Sequence, residues 1–401
     1  MKVLHLNGYL AGGGVEQYLA QLFPLLDERC IENVMIYGEP PGETSKLKAA
    51  KLHYIEGITR GVCKDHKKKL LQVKRIIDHE KPQIIYLHQV ANAPLITLLT
   101  SLLPTVQFVH DFKLICPDGK KTLKPSGKIC PFPLSYRCQF NAYYYRCMPR
   151  NPFIGMPLIH NCIAIASLHK IKSQMVVASH FMKNVLIYNG FTEAKIHVIP
   201  YFTHLPNIET SSASTKQPSI LALGRTTKEK GFDYLLRAFS VLQNKARLTI
   251  IGDGPELGNL KQFAEDLGLS SRITFPGWLS HDELDQVYRH CTMVVVPSIW
   301  PEPFGIVGIE AMAYQKPVIA FDVGGISDWL KNDEMGILVT PQDESKLAEM
   351  MITLLDNPTQ AIRMGIKGRE IVERNFTSDV HLNRLLDLFE SAIDQFSGNR
   401  L

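Results

Sequence analysis

Two glutamates eight residues apart, Glu302 and Glu310, stand in the string PSIWPEPFGIVGIEAMA (297–313). The β-branched run Met293–Val296 before it reads as a strand, Ser298–Pro303 as a loop at its carboxyl end, and Gly305–Ala313 as a helix. Ligands of open α/β sheets bind at that edge. A helix N-terminus there offers free N–H groups and about half a positive charge, a setting suited to phosphate. Gly305, beside Phe304, lets a ligand approach the backbone closely. Glu310 falls about 7 Å into the helix at about 1.5 Å per residue, roughly the distance from a diphosphate to the sugar attached to it. One carboxylate can then accept from hydroxyls on one side of a diphosphate, and Glu302 from those on the other.

Cations are expected at a matching edge. The strand Ile220–Leu223 runs into Gly224-Arg225 and then KEKG, which ends at Lys230-Gly231. Arg225 can hold a phosphate as a fork and Lys230 as a point charge. Gly252-Asp253-Gly254 and Gly324-Gly325 close two further strands, so four strand ends converge on one crevice. In the first half, Val3–Leu6 leads into Gly12-Gly13-Gly14 and a helix from Val15, another loop that a phosphate could approach. The spacing is not GxGxxG, and dinucleotide binding is not supported. His110-Asp111 closes the strand Val106–Val109 and should turn its imidazole toward the same crevice from the opposite domain.

These positions need a scaffold, and the pattern of the chain supplies one. Val3–Leu6, Val34–Tyr37, Ile84–Leu87, Val106–Val109, Met175–Ala178 and His197–Ile199 read as buried strands, alternating with helical stretches such as Glu16–Leu26 and Lys67–His79. The alternation restarts after 217, with strands at Ile220–Leu223, Arg247–Ile251, Ile273–Phe275, Met293–Val296 and Pro317–Ala320. Helices are expected at Phe232–Gln243, Leu257–Leu267, His281–His290, Gly305–Ala313 and Glu344–Asp356. Such alternation implies doubly wound parallel sheets, hence an α/β chain of two Rossmann-like domains. The boundaries fall at 1–203 and 217–376, with the polar stretch Leu205–Pro218 as linker. A last helix, Ser378–Phe396, lies in the remainder, 377–401. Residues 112–160 break the rhythm and read as an insert in the first domain.

The 401 residues are 45% hydrophobic and 21% charged, which excludes disorder, collagen and a disulfide mini-scaffold. No apolar stretch reads as clean enough to span a bilayer; the best, Ala91–Val109, is broken by Asn92, Pro94, Pro104 and Gln107. The start of the chain reads as a strand and loop and not as a secretion signal. Net charge is +5, but residues 1–200 carry 25 Lys/Arg against 13 Asp/Glu, and residues 201–401 carry 19 against 26. The two halves should face different partners. Residues 113–150 hold eight Lys/Arg and one acid, Asp118, interleaved with Phe132, Tyr136, Phe140, Tyr143, Tyr144 and Tyr145; Lys67, Lys68, Lys69 and Lys74 add to the basic surface. Cations with aromatics suit an anionic membrane surface or an anionic lipid-linked glycan. No nucleic-acid motif is present. Cys116, Cys130, Cys138 and Cys147 are spaced x13, x7 and x8, which are not zinc-ribbon spacings; free thiols are expected, with a structural zinc as the alternative.

GRTTKEKG, EPFGIVGIEAMA and PVIAFDVGG, with GGGVEQ, VHDFKLICP, SLHK and ASHFMKNVLIYNGF in the first half, resemble the family-four (group 1) retaining glycosyltransferases of GT-B fold, in a subgroup with a Cys-containing insert after the HD motif. The resemblance implies two Rossmann-like domains facing a cleft and a C-terminal helix that crosses back to the first domain. The second domain would hold a UDP- or GDP-linked sugar, and the first a glycan or lipid-linked acceptor. It places Arg225 and Lys230 on the diphosphate, Glu310 on the ribose, and Glu302 on hydroxyls of the donor sugar. Backbone at Phe304 and Gly305 lies nearby, His110 close to the sugar, and Gly13 and Gly14 in the N-terminal glycine loop, with Gly224, Gly252 and Gly254 in donor-binding loops. Retention implies that the acceptor attacks the face the diphosphate leaves, with no protein nucleophile. The expectation is a metal-independent hexosyltransferase with no cofactor or metal, cytoplasmic and peripheral on the inner membrane face, working in polysaccharide or glycoconjugate synthesis. Two departures stand out: Asp328 where relatives commonly carry Glu, and Pro-Phe-Pro after Cys130 in place of a CxxC pair. A hydrolysing nucleotide-sugar epimerase and a non-catalytic glycan-binding relative are the alternatives.

Overall fold

The computed structural model describes residues 1–10, 13–40, 50–61, 65–124, 127–208 and 217–398. The chain divides into two units, Met1–Pro200 with His381–Leu401, and Tyr201–Val380.

The first unit runs β1 (Lys2–Asn7), α1 (Gly14–Glu28), β2 (Glu32–Tyr37), β3 (Ala50–Tyr54), α2 (His66–Glu80), β4 (Ile84–Leu87), α3 (Ala93–Leu102) and β5 (Thr105–Val109). It continues with α4 (Cys138–Tyr145), α5 (Pro152–Lys172), β6 (Gln174–Val177), α6 (His180–Tyr188) and β7 (Ile196–Val198). The seven strands lie in the order β3-β2-β1-β4-β5-β6-β7, all parallel. β4 and β5 are buried along their whole length, because helices cover both faces of a parallel sheet. Leu4, Leu6, Ile36, Ile85 and Leu87 form the core on one face with Val73, Ile77 and Leu99 of α2 and α3.

The second unit runs β8 (Ser219–Leu223), α7 (Phe232–Ser240), β9 (Arg247–Ile251), α8 (Leu257–Asp266), β10 (Ile273–Gly277), α9 (His281–His290) and β11 (Met293–Val296). α10 (Ile306–Ala313), β12 (Val318–Phe321), α11 (Ile326–Trp329), β13 (Gly336–Val339), α12 (Glu344–Asp356) and α13 (Pro358–Asn375) follow. Its six parallel strands lie in the order β10-β9-β8-β11-β12-β13. In each sheet the strand order reverses direction once, between β1 and β4 and between β8 and β11, and loops at such a switch point leave a crevice.

The last helix, α14 (Ser378–Gly398), belongs to the first unit from His381 onward. His381 Nε2 meets Tyr18 Oη at 2.9 Å, and the Phe389 and Tyr86 rings lie edge to face at 5.1 Å. It therefore crosses back as the resemblance implied.

Several expectations need correction. The polar stretch 205–218 is not a free linker throughout: the carbonyls of Pro206 and Asn207 accept from Arg369 and Arg289 inside the second unit, and residues 209–216 lie outside the described residues. β3 went unread because three of its five residues are exposed, the pattern of a polar edge strand. The insert does not end at 160. Its close belongs to α5, which Asn151 caps by accepting from the Phe153 N–H and which tolerates Pro157 inside it. Pro152 sits at a helix start that suits it, so a helix opens inside the stretch read as the insert. α5 also overturns the view that no segment is apolar enough to cross a bilayer: by length and composition it qualifies, with a mean hydropathy of 1.2 over 18 residues.

Candidate functional site

In the second unit the loops after β8 and β9 are shaped by glycine. Gly224 follows β8 at φ +148°, and a Cβ on Gly252 would stand 2.0 Å from its carbonyl oxygen. A Cβ on Gly254 would stand 2.6 Å from the Thr226 carbonyl. These glycines, expected to make room for a ligand, have a prior role: they let the β8 and β9 loops pack backbone against backbone.

Gly231, at φ +64°, does the same for Lys230. Any side chain there would strike the Pro297 carbonyl, so the turn at 228–230 lies against the loop after β11. The Ile299 and Trp300 N–H groups both donate to the Glu229 carbonyl, at 3.0 and 3.2 Å. This seats Lys230 Nζ 2.6 Å from Glu302 Oε1 and 5.9 Å from the centre of the Trp300 ring. Glu302 is buried, and its backbone is gripped by Gly324-Gly325: the Gly325 N–H donates to its carbonyl at 2.7 Å, and a Cβ at 324 would fall 2.3 Å from the same oxygen.

Phe304 is buried against Tyr201 and Phe376, and its carbonyl accepts from the Trp329 indole at 2.6 Å. Gly305, at φ +93°, is the N-cap of α10, and no side chain caps that end. Glu310 lies one turn in and accepts from Tyr288 Oη at 3.1 Å. Burial raises its carboxyl above the usual carboxylate range, with the tyrosine hydrogen bond opposing the shift. Tyr288 stacks on Tyr314 at 4.8 Å. Arg225 is exposed at the end of β8 and pairs with no carboxylate among the described residues. The expected pair of cations is therefore asymmetric: Lys230 is neutralised by Glu302, and Arg225 stands open.

In the first unit, His110 ends β5, and its Nε2 lies 2.9 Å from His88 Nδ1 at the end of β4. His5 of β1 stacks on His88 with ring centres 5.9 Å apart. Burial, followed by the nearby charge of Lys113, lowers His110 to about 3, so its imidazole is neutral near pH 7. Burial, followed by His110 and His5, pushes His88 well below its ordinary value. His88 and His110 line a cavity of about 340 Å³ with Gln89, Asp111, Lys113 and Asn161, beside the Glu39–Arg60 ion pair. His88 was missed, although it ends its strand as His110 does.

Gly13 is the N-cap of α1 in extended conformation, and Gly14 has open space around its Cα. Glu16 in the first turn is buried and accepts from Asn7 Nδ2 at 2.8 Å. That carboxylate offsets the positive end of the helix, so the loop suits hydroxyls better than the phosphate expected of it. Gly12 lies outside the described residues.

The four insert cysteines, far apart in sequence, line one small cavity. Burial, then Cys116 and Cys130, push the Cys147 thiol up to about 11. Among the described residues, no three His, Cys, Asp or Glu form a metal-holding group; Cys63 lies outside them.

Residues 206–371 match the family described as glycosyl transferases group 1. The chain is 33% identical to an uncharacterized glycosyltransferase of Methanocaldococcus jannaschii, over 41% of this chain and 42% of that protein. It is 30% identical to a GDP-mannose-dependent alpha-(1-6)-phosphatidylinositol monomannoside mannosyltransferase of Mycobacterium tuberculosis, over 43% and 47%. The match thus spans less than half the length of these curated relatives. Among solved structures, Anabaena HepE in complex with UDP superimposes with a TM-score of 0.74 at 18% identity, over 98% of this chain and 100% of that one. A sucrose-phosphate synthase from Thermosynechococcus elongatus gives 0.73 at 20%, over 98% and 99%. Residues 206–371 thus resemble the group 1 glycosyl transferases, and the fold of the chain is GT-B.

Proposed function

We propose that this chain is a retaining glycosyltransferase that moves a hexose from a UDP- or GDP-linked donor to a glycan or lipid-linked acceptor at the cytoplasmic face of a membrane. The observation that carries the reading is the ion pair of half-buried Lys230 with buried Glu302 at the β8–β11 switch point, inside the family match and one helical turn from Glu310.

The diphosphate binds Arg225, Lys230 and the uncapped N–H groups of α10. Its nucleotide ribose donates to Glu310, and sugar hydroxyls donate to Glu302. His110, neutral, exchanges a hydrogen bond with a sugar hydroxyl. The acceptor hydroxyl attacks the anomeric carbon on the face the diphosphate leaves. A new C–O bond forms as the bond to the phosphate oxygen breaks, and the departing diphosphate takes the acceptor's proton. Charge gathers on that leaving group beside Arg225, Lys230 and the start of α10, so the stabilisation is electrostatic. No step is routed through a metal.

Saturation-transfer NMR against a panel of nucleotide sugars tests the reading. A UDP- or GDP-sugar should bind, and Glu310→Gln should weaken it with the fold intact. Binding of no nucleotide sugar, or equal binding by Glu310→Gln and Arg225→Ala, would overturn it. Donor hydrolysis or epimerisation without an acceptor would move the assignment to an isomerase.

A further inference from the structure

α5 is apolar enough to be a core helix, yet only a third of its most apolar window is buried. Phe153 is 88% exposed and Ile154 53%. On α4, Phe140 is 71% exposed and Tyr144 80%, one turn apart on one face. The two helices pack on each other through Ala142, Met148 and Ile159. Their approach is close, since a Cβ on Gly155 would fall 2.2 Å from Gln139 Oε1. The hairpin is thus built, and it leaves large side chains in water. An exposed apolar cluster of this kind marks a surface that binds something.

Charge identifies the occupant. Between Asp118 and Glu193 the chain has no acidic residue, while Lys and Arg recur throughout. Arg137, Arg146 and Arg150, close in the chain to Phe140, Tyr144 and Phe153, are exposed and make no ion pair among the described residues. Exposed aromatics with unneutralised guanidiniums match a bilayer whose acyl boundary lies beneath anionic phosphates.

We infer that the outer faces of α4 and the first turns of α5 seat this chain on an anionic lipid bilayer, with Phe140, Tyr144, Phe153 and Ile154 in the acyl boundary and the three arginines at lipid phosphates. α5 does not span the membrane, because Ile159, Cys162, Ile165 and His169 hold it in the first unit. Leu158, Asn161, Cys162 and Ile165 also line the 340 Å³ cavity, so the helix that meets lipid walls the space for an acceptor head group. That last link rests on the glycosyltransferase reading, and the docking surface does not.

The test is co-sedimentation of the full chain with phosphatidylcholine vesicles, with and without 30% phosphatidylglycerol. A Phe153→Trp variant reports insertion through its indole fluorescence. No donor or turnover is involved, so failure here is distinct from failure of the proposed activity. Binding should require phosphatidylglycerol and weaken with salt. Phe140→Ser/Phe153→Ser should lose at least tenfold with an unchanged melting curve. At about fivefold per basic residue, Arg137→Glu/Arg146→Glu/Arg150→Glu should lose about 100-fold or more. Emission from the introduced indole, taken as the difference from the parent chain, should shift to the blue and be quenched by brominated lipid. Absent binding, binding indifferent to lipid charge, or an indole emission unchanged on sedimented vesicles would overturn the inference. So would a lipid-free dimer abolished by Phe140→Ser/Phe153→Ser, which would assign the surface to a second copy.

Discussion

Lys230 is where stability and chemistry can be separated. Its amine is the partner of the Glu302 carboxylate, whose side chain is 8% exposed against 30% for the lysine. Lys230→Ala leaves that carboxylate buried and uncompensated. Breaking a fully buried pair costs about 3–5 kcal/mol, and because water reaches this lysine the loss here should be about 1–3 kcal/mol. For a unit of this size that lowers Tm by roughly 2–12 °C, readable by calorimetry. Lys230→Ala/Glu302→Gln removes the stranded charge and should regain most of the loss, a coupling of about 1 kcal/mol or more in the double-mutant cycle. Turnover should not return with it. Lys230→Ala and the double variant should both be slower by about 10²–10³, since the cation at the departing diphosphate is still missing. The reasoning fails if Lys230→Ala melts at the wild-type temperature, or if adding Glu302→Gln recovers none of the stability.

Backbone packing between the β8 and β9 loops gives a sharper structural contrast. Gly252→Ala should cost about 2–4 kcal/mol or prevent folding, because its Cβ would overlap the Gly224 carbonyl; Gly258→Ala in α8, with nothing within 4 Å, should be neutral or stabilise by up to about 1 kcal/mol in the same thermal assay. The raised Glu310 carboxyl makes the stability it contributes complete below pH 4.5 and lost as pH rises through its native value. Glu310→Gln should flatten that slope in pH-dependent urea unfolding. The buried histidines work in the opposite sense: His5 and His110 fall to about 3, and His169 and His381 to about 4, all by burial. Their contribution is complete above about 6.5 and lost as pH falls toward those values, so calorimetry should show the first unit weakening progressively below pH 6.5. In mass-spectrometric labelling with iodoacetamide at pH 7.5, exposed Cys30 should react well before Cys147, whose thiol burial pushes up to about 11.

Local pattern made much of this molecule legible. Alternating β-branched runs and amphipathic stretches determine a parallel α/β chain, because strands covered on both faces must be apolar throughout. Helix spacing alone puts Glu310 one turn inside α10, and a glycine before it marks an end without a side-chain cap. Elements whose signal lies in their neighbours were hidden. β3 is a polar edge strand, and α5 begins among prolines inside a stretch whose pattern reads only as an insert. Tertiary structure alone decided that Lys230 is paired with Glu302 while Arg225 is not, because that depends on Gly231 and Gly324 letting separate loops meet without a Cβ between them. It also decided that His88 backs His110, that the four insert cysteines share one cavity, and that α14 packs on Tyr18 and Tyr86. Each of these is a contact between residues distant in the chain, set by sheet order and by how loops and helices pack, which no local periodicity encodes.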